Sequence, residues 1–294
     1  MIQLQALSIG PSLNLSAPGV GFVHSVFAGA ANLEMSGSLW TLLVADGADL
    51  PMGIRVAVRD FRTLGLREGD QIDVKSGFIG VRSSGSRFVV DCRAVPHWIP
   101  AYPDRLEPDL ARRLAVVAAE VCGRSWRGSA KMAHAVRSAL EAPDAIGNVL
   151  ASVVGRGPGL TPAGDDVLVG ILAVLSSPHS GLAGAKVAKS LGRLILPLLP
   201  TTTYVSGQLL RQAANGLFGR AVHELLSALI GDQPRQKLAE TVRGILETGA
   251  TSGADTCEGL LAFAPTFLVP HDTRVGARVR ARATTPTSTR TPLH

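Results

Sequence analysis

The sequence predicts an α+β protein in which a β-rich, small barrel-like N-terminal domain precedes an all-helical C-terminal domain. Short runs rich in β-branched residues, separated by Gly, Asp and Ser turns, fill residues 20–95. From about residue 105, apolar residues instead recur at helical spacing as far as about residue 268. We therefore divide the 294-residue chain into a β-rich domain at 1–98, a helical domain at 99–268 and a basic tail at 269–294.

The β-rich part contains four clear strand segments, followed by a proline-rich connection. The strand segments are LWTLLVAD (39–46), GIRVAVRD (53–60), QIDVKSGFIGV (71–81) and SRFVVDCRAV (86–95). REGDQIDV resembles a turn that leads into a strand, a feature common in small barrels. The connection VPHWIPAYPDRLEP (95–108) holds four prolines, and this density is typical of a linker or domain seam.

The helical part contains nine segments with helical spacing of apolar residues. They cover residues 109–122, 129–140, 144–154, 165–175, 185–199, 206–218, 221–230, 235–246 and 255–264. The connections between them are short and contain Gly or Pro. Hydrophobic residues make up 46% of the chain and aromatic residues only 4%, so the core is built from Ala, Leu, Val and Ile. Such a core favours helices.

The charge of the chain gives little support for a nucleic-acid partner. The formal net charge is +6, but residues 271–294 alone hold five Arg and one Asp. This tail is rich in Thr, Pro and Arg without an apolar period, so we expect it to be disordered and solvated. A nonspecific anion-binding tail is the minor alternative.

Targeting and cysteine patterns predict a soluble cytoplasmic protein without membrane contact. The longest apolar runs are shorter than the roughly 18 residues that a membrane span needs. The N-terminus MIQLQALSIGPSLNL lacks a basic flank before an apolar stretch, so we expect no signal peptide. Cys92, Cys122 and Cys257 lie far apart without a C-x-x-C pair, which disfavours disulfides and structural zinc.

The segment GRGPGLTPAGDDVLVG (155–170) is the most unusual in the chain. Thr161 suits the N-cap of a helix and Pro162 its first position, while Asp165 and Asp166 would complement the helix dipole. A well-capped entrance to a buried helix is one interpretation. The glycines upstream exceed what capping needs, however, and they would let backbone N–H groups approach an anion. Adjacent buried carboxylates also need partners.

A second segment repeats this design at a constant offset of 89 residues. GDDVLVGIL (164–172) aligns with GADTCEGLL (253–261). The matched pairs are Gly164 with Gly253, Asp166 with Asp255, and Gly170 with Gly259. Ser252 could cap the second helix, with Asp255 approximating a capping box. We expect two helix N-termini to face one pocket, with Gly170 and Gly259 allowing the helices to pack closely.

A third polar cluster lies between the two, in PTTTYVSGQLL (200–210). Thr201, Thr202, Thr203 and Ser206 crowd another helix start. Capping alone explains them about as well as ligand binding does. Three polar helix entrances in one helical domain make a shared site the more attractive hypothesis.

The sequence lacks the motifs that define several known kinds of site. GLTPAGDD places Asp165 where a phosphate-binding loop needs Lys, and no G-x-G-x-x-G follows a strand. Neither H-E-x-x-H nor G-x-S-x-G occurs. His134 and His223 lie in amphipathic segments and are expected to be surface or boundary residues rather than ligands. Ser252 has no identifiable base, so a capping role is preferred to a nucleophilic one.

Taken together, residues 155–172, 200–218 and 248–261 resemble the AllH-like family, which includes a subunit of oxamate carbamoyltransferase from anaerobic allantoin breakdown. The first motif is long, and the other two occur in the right order. Two positions differ from the pattern: Ala163, where a Ser is expected, and Ala250, where a polar residue such as His is common. The resemblance implies carbamoyl transfer between carbamoyl phosphate and oxamate, giving oxalurate and phosphate or the reverse. It also implies an assembly of dissimilar subunits.

The resemblance and the chemistry together suggest a set of site residues for a small anionic substrate. Asp165, Asp166 and Asp255 are the candidate catalytic residues, since a carboxylate can bind an –NH₂ group or act as a base. The candidate substrate-binding residues are Gly157, Gly159, Leu160, Thr161, Gly164, Thr202, Thr203, Ser206, Thr251, Ser252 and Gly253. Backbone N–H groups of residues 157–164 would hold a carboxylate, a phosphate or an oxyanion. No motif specifies a metal or a cofactor, although Mg²⁺ is compatible with the carboxylates.

Three hypotheses remain open from the sequence. The chain is a subunit of a carbamoyltransferase, a noncatalytic small-anion or metabolite-binding regulatory protein, or a structural partner whose Gly-rich turns serve helix packing. The first two require the same pocket, and the sequence does not separate them.

Overall fold

The first half of the chain folds as a closed barrel of eight strands. The computed structural model describes residues 2–82 and 87–268. The strands are β1 (Ile2–Ile9), β2 (Gly19–Val26), β3 (Ala30–Met35), β4 (Ser38–Leu43), β5 (Gly53–Val56), β6 (Gln71–Lys75), β7 (Phe78–Arg82) and β8 (Arg87–Asp91). Their order around the barrel is β1-β5-β4-β3-β2-β6-β7-β8. The predicted barrel-like region is therefore confirmed.

Two tight turns each connect a pair of neighbouring strands in the barrel. Ser36 and Gly37 connect β3 to β4, and Ser76 and Gly77 connect β6 to β7, all with positive φ between 51° and 81°. Two consecutive residues with positive φ match the right-handed twist of a hairpin. The predicted segment 71–81 is therefore two strands rather than one. Strand β1, which the sequence analysis does not predict, closes the barrel by pairing in parallel with β8.

Nine α-helices follow the barrel within the described residues, so the α+β fold class is confirmed. They are α1 (Leu110–Val121), α2 (Ser129–Ala139), α3 (Pro143–Val153), α4 (Ala163–Ser176), α5 (Gly181–Ile195), α6 (Tyr204–Ala214), α7 (Arg220–Ile230), α8 (Arg235–Leu246) and α9 (Ser252–Phe267). Each corresponds to one predicted segment. The segment 185–199 differs at its end, because a 3-10 helix with two prolines, Leu196–Thr201, replaces its last turn.

The barrel and the helices have separate hydrophobic cores, which are joined by polar contacts and by Leu209 of α6, which packs against the barrel core. The barrel core centres on residues such as Phe61 and Phe88, and the helical core surrounds α4 and α9. Between the two halves, Arg220 at the start of α7 forms an ion pair with Asp49. Tyr204 at the start of α6 stacks on the His24 ring and donates a hydrogen bond to Glu34. The start of α6 therefore lies against the barrel wall.

His223 is buried rather than at the surface, with only 5% of its area exposed, because α7 turns this face toward the linker and the helical core. His134 is exposed, as expected. The predicted disordered basic tail, 269–294, lies outside the described residues. The domain limits at 98 and 268 stay predictions, although the strands end at Asp91 and the helices begin at Leu110.

No single helix among the described residues is long and apolar enough to cross a membrane. One pair, Ala163–Ser176 with Pro178–Thr201, reaches that length and composition only when taken together, and it is bent by 69°. The first helix of this pair is α4, which the helical core buries on nearly every side.

Candidate functional site

The candidate site lies beside the crossing of α4 and α9, where the two helices touch backbone to backbone. A β-carbon added to Gly170 would stand 1.9 Å from the carbonyl oxygen of Thr256. One added to Gly259 would stand 2.0 Å from the carbonyl oxygen of Val167. No side chain fits at such distances in a close-packed interior. The prediction that these two glycines allow the helices to pack closely is confirmed.

Two buried carboxylates, Asp166 and Asp255, occupy the first turns of these helices. Asp166 is 8% exposed and Asp255 is fully buried. In each of them the Oδ2 oxygen is buried and has no hydrogen-bond partner within the described residues. Buried polar atoms are nearly always paired, so each of these two unpaired oxygens requires an explanation. A bound ligand that donates hydrogen bonds would provide one.

The environment of Asp166 changes its protonation. Its pKa is raised to about 8, chiefly by burial and further by the charges of Asp255 and Asp165. Hydrogen bonds from Ser252 and Thr161 oppose this rise. Asp166 is therefore mostly protonated at neutral pH, and it can donate as well as accept a hydrogen bond.

Asp165 is bound on both oxygens and acts as an anchor. Its Oδ1 accepts a hydrogen bond from the Gly155 amide at 2.8 Å, and its Oδ2 accepts one from Ser206 Oγ at 2.6 Å. The Thr202 hydroxyl donates to the same Oδ2. Only 1% of Asp165 is exposed. This carboxylate therefore ties the segment before α4 and the start of α6 to α4 itself.

The segment 155–161, called here the Gly-rich loop, also connects to α9 and α6 through hydroxyl groups. Thr161 Oγ1 and Ser252 Oγ share a hydrogen bond of 2.7 Å, which joins the loop to the start of α9. Thr203 Oγ1 donates to the Leu160 carbonyl at 2.5 Å, which joins the loop to the start of α6. The starts of α4, α6 and α9 are therefore linked through one loop, as the sequence hypothesis of converging helix ends requires.

Several amides of the Gly-rich loop are available to a ligand. Those of Gly157, Gly159, Leu160 and Thr161 donate no hydrogen bond within the described part of the chain. Gly157 and Gly159 have φ values of 121° and 92°, which side-chain-bearing residues rarely adopt. Successive unpaired amides beside a helix N-terminus are suited to an anion.

Other predicted backbone donors are already used. The amide of Gly164 donates to the Arg156 carbonyl at 2.8 Å, and that of Gly253 donates to the Thr248 carbonyl at 3.2 Å. These two glycines instead allow close helix approaches, because β-carbons there would stand 1.9 Å from the carbonyl oxygens of Val153 and Ile245. Both positions therefore serve packing.

The structure corrects two of the predicted helix caps. Helix α4 begins at Ala163 with Pro162 in the N-cap position, so Thr161 does not cap it and instead bonds to Ser252. Helix α9 begins at Ser252 with Thr251 in the N-cap position and no side-chain cap, so the predicted capping box is also wrong. Thr251 contributes its carbonyl, which accepts from the Asp255 amide at 2.8 Å.

The third predicted cap is present. Thr203 precedes α6, and its side chain accepts a hydrogen bond from the Ser206 amide at 3.2 Å. The same hydroxyl donates to Leu160, so capping and loop attachment use one atom. Leu160 itself is 56% exposed, at the tip of the Gly-rich loop.

The sequence analysis missed two residues that hold Asp255. Its Oδ1 accepts a hydrogen bond from the Trp126 amide at 2.8 Å and one from Ser129 Oγ at 2.6 Å. Ser129 is the first residue of α2 and fully buried. A Ser at a helix start after Gly128 is visible in the sequence, but nothing local links it to a residue in α9.

Asp165, Asp166 and Asp255 are not arranged as a metal site. Within residues 2–82 and 87–268, no three His, Cys, Asp or Glu side chains come together in a way that could hold a metal ion. Asp165 is occupied by three protein donors, whereas Asp166 and Asp255 each keep one oxygen without a partner. The two are close enough for the charge of Asp255 to raise the pKa of Asp166.

Together, the fold and the site define an α+β protein in which one loop joins three helix starts around two buried carboxylates with unpaired oxygens. The chain belongs to the AllH family. The family model described as oxamate carbamoyltransferase subunit AllH matches residues 153–264, which include the Gly-rich loop and all three helix starts. The model described as the AllH family N-terminal domain matches residues 5–96, which is the barrel. No solved structure matches the chain.

Proposed function

We propose that this chain is a subunit of an enzyme that transfers a carbamoyl group between carbamoyl phosphate and oxamate, and that its helical half binds the small anionic substrate. The single observation that carries the proposal is the pair of unpaired Oδ2 oxygens of Asp166 and Asp255. Thr161 of the Gly-rich loop hydrogen-bonds to Asp166, and four amides of that loop donate no hydrogen bond within the described residues. Oxamate and oxalurate each combine a carboxylate with amide N–H groups, so they need both kinds of partner.

In this proposal, the substrate lies between the Gly-rich loop and the carboxylate pair. The amides of Gly157, Gly159, Leu160 and Thr161 hold its anionic end, since they donate to nothing else within the described residues. The N–H groups of the substrate amide donate to Asp166 and Asp255. Asp165 is a positioning residue, because its oxygens are already bound to the loop and to α6.

The transfer forms a bond between the oxamate amide nitrogen and the carbamoyl carbon, and it breaks the bond between that carbon and the phosphate oxygen. The amide nitrogen loses one proton, and phosphate leaves with the electron pair of the broken bond. Asp166 is suited to exchange this proton, because a pKa of about 8 lies close to neutral pH. Unpaired amides of the loop can also stabilise the oxyanion that forms at the carbamoyl carbon.

The chain is expected to act together with other protein subunits. The family name is that of a subunit, so dissimilar subunits are expected to complete the catalyst. We propose a cytoplasmic protein in purine or allantoin breakdown, with neither nucleic acid nor a membrane as a partner. We also propose that the chain holds no cofactor of its own. Binding is therefore tested both with and without Mg²⁺, and the two results should be the same.

The decisive experiment compares binding and activity in the same variants. Thermal shifts of the full chain are measured with oxamate, oxalurate, carbamoyl phosphate and phosphate, with and without Mg²⁺. Activity is measured as carbamoyl phosphate formation from oxalurate and phosphate, in the assembly obtained by co-expression with the products of neighbouring genes. Asp166→Asn and Asp255→Asn should abolish the oxamate and oxalurate shifts and lower activity by roughly 100-fold or more.

The matched control is Asp144→Asn, which changes an exposed carboxylate in the first turn of α3 and should alter neither readout. Undiminished binding and activity in folded Asp166→Asn and Asp255→Asn would refute the proposed site. Binding that depends on both carboxylates, in an assembly that lacks any carbamoyl transfer, would instead establish the noncatalytic anion-binding protein as the function.

A further inference from the structure

A cavity of about 750 Å³ lies between the linker that follows the barrel and the helices α7 and α8. Residues 98–101 of the linker form one wall, and the two helices form the others. None of the candidate site residues lines this cavity. Its volume falls within the range of about 300–1,000 Å³ that is typical of small-molecule sites.

Two aromatic rings, those of Trp98 and His223, line the cavity, and His223 sits in a cluster of rings. The rings of Trp98, Tyr102 and Phe218 contact the imidazole edge to face, with centroids 5.5, 5.2 and 5.8 Å from it. Rings of this kind provide flat apolar surfaces for a planar molecule.

A ring nitrogen of His223 is free to hydrogen-bond to a ligand. Nδ1 is buried without a partner within the described residues, and Nε2 makes no hydrogen bond there but is not fully buried. Burial lowers the pKa of His223 to about 4, so the ring is neutral at physiological pH. The tautomer with its proton on Nε2 avoids a buried, unpaired N–H. It presents an N–H donor to the cavity.

The charges around the cavity are already balanced. Arg220 pairs with Asp49 and Glu224, and Lys237 pairs with Glu240 at 3.4 Å. No cation of the lining is left over to attract an anion. The cavity therefore differs from the Gly-rich loop, where unpaired amides favour negative charge.

Two polar side chains of the lining are free to bind a ligand. Gln233 and Thr248 face the cavity and make no side-chain hydrogen bond within the described residues. They can bind an –NH₂ group while the His223 ring donates to a carbonyl oxygen.

We infer that this cavity is a second binding site, which takes an uncharged, flat aromatic or heteroaromatic molecule carrying a carboxamide or a comparable carbonyl group. The Arg220 guanidinium lies over the Trp98 ring, with its Cζ 5.6 Å from the ring centroid. The flat ring of the ligand packs against this pair, and its carbonyl accepts a hydrogen bond from His223. The inference is independent of the proposed carbamoyl transfer, since the two sites share no residue.

The experiment uses benzamide as the probe, with benzoate and benzylamine as its charged counterparts. The full chain is labelled with 5-fluorotryptophan, and the Trp98 signal among the three tryptophans is assigned with Trp98→Phe. We expect benzamide to shift the Trp98 ¹⁹F resonance with a Kd on the order of 1 mM, as befits so small a ligand. Benzoate and benzylamine should bind at least about tenfold more weakly, because the lining has no unpaired charge for either.

Two variants and a control decide the location. Gly244 on α8 lines the cavity, and a β-carbon there meets no atom within 4 Å, so the side chain of Gly244→Phe starts from open space and is expected to occupy part of the cavity. His223→Phe keeps the ring and removes its nitrogens. Both should abolish the shift, whereas Gly147→Phe should not, since Gly147 is an equally open and exposed position on α3.

Loss of the benzamide shift in Gly244→Phe with retention in Gly147→Phe supports the site, even if His223→Phe does not fold. A Trp98 resonance that benzamide leaves unmoved in the wild-type chain overturns the inference. Equal binding of benzoate overturns the ligand class, and an unchanged shift in Gly244→Phe overturns the location.

Discussion

Gly170 and Gly259 occupy equivalent positions in one helix crossing, each against a carbonyl oxygen of the other helix. Gly170 lies against Thr256 and Gly259 lies against Val167. The two glycines are 89 residues apart along the chain, and so are Val167 and Thr256. The crossing of α4 and α9 is therefore close to two-fold symmetric. Asp166 and Asp255 are related by the same offset, so the two carboxylates occupy equivalent positions in the two helices, and the charge of Asp255 raises the pKa of Asp166.

The close crossing predicts that alanine is poorly tolerated at both glycines. A β-carbon at Gly170 or Gly259 would stand about 2 Å from a backbone oxygen, which only a shift of a whole helix can relieve. We expect Gly170→Ala and Gly259→Ala each to lower the free energy of unfolding by roughly 3 kcal/mol. The double variant should cost less than the sum, because one separation of the helices relieves both contacts. Urea unfolding measures all three values.

Gly147→Ala serves as the control for this prediction. Gly147 lies inside α3, where an added β-carbon meets no atom within 4 Å, so the substitution should stabilise the chain by about 0.5–1 kcal/mol. Equal, small effects at Gly147, Gly170 and Gly259 would show that α4 and α9 do not pack as closely as described.

The raised pKa of Asp166 predicts that stability falls as the pH rises. The carboxyl has an ordinary pKa of 3.8 in the unfolded chain and a pKa of about 8 in the folded chain. Between these values the folded chain keeps a proton that the unfolded chain releases. The free energy of unfolding should therefore decrease with pH across this window, by at most about 1.4 kcal/mol per pH unit.

Asp166→Asn cannot titrate, so it should remove this decrease. Compared with the wild type, the variant should gain more stability at pH 8 than at pH 5, as measured by urea unfolding at several pH values. The difference between the two proteins cancels other titrations, such as that of His223. Asp144→Asn, at an exposed position, should follow the wild-type curve. Parallel curves for Asp166→Asn and the wild type would contradict the buried, protonated carboxyl.

The fold was largely accessible from the sequence because its signals are local. Nine helices follow from the apolar spacing and the Gly or Pro between them, and the strands follow from β-branched runs and turns. The exceptions depend on distant contacts. Strand β1 pairs in parallel with β8, with Ile2 opposite Phe88, and no local turn in the sequence predicts this pairing.

The site was accessible only in part, for the same reason. The repeated pattern locates Asp166 and Asp255, and the close crossing through Gly170 follows from it. The hydrogen bonds that fix each carboxylate come from elsewhere, as with Trp126 and Ser129 on Asp255. Thr161 illustrates the limit, since its sequence context indicates a cap but its hydroxyl bonds to α9.

Asp165 is predicted to be more important for stability than any exposed carboxylate. Asp165→Ala leaves the amide of Gly155 and the hydroxyls of Thr202 and Ser206 without their acceptor in a buried place. We expect a loss of roughly 3 kcal/mol in the free energy of unfolding. Asp165→Asn keeps an acceptor for the Gly155 amide and should recover about half of it. Calorimetry on Asp144→Ala is the comparison, because this variant also removes a negative charge but should change the free energy of unfolding little. Equal losses of stability in Asp165→Ala and Asp144→Ala would contradict the anchoring role of Asp165.

Asp49 is predicted to hold the barrel and the helices together. It is 3% exposed and receives the side chains of Ser8, Arg55 and Arg220, the last from α7. Burial alone would raise the pKa of Asp49, but hydrogen bonds from Ser8 and Arg220 and the charges of both arginines bring it below 3.8. Its stabilising contribution is therefore fully present above this pH and is lost as the pH falls through the lowered value.

Removing this carboxylate leaves two arginines without their shared partner, so Asp49→Ala should lower the free energy of unfolding at pH 7 by roughly 3 kcal/mol. Asp46→Ala, three residues away and exposed, is the matched control and should have almost no effect. Because Arg220 belongs to the helical half, limited proteolysis of Asp49→Ala should also cut the linker between Val95 and Pro108 faster than in the wild type. Unchanged cleavage together with unchanged stability would show that the two halves are held by their other contacts, such as Tyr204 with Glu34.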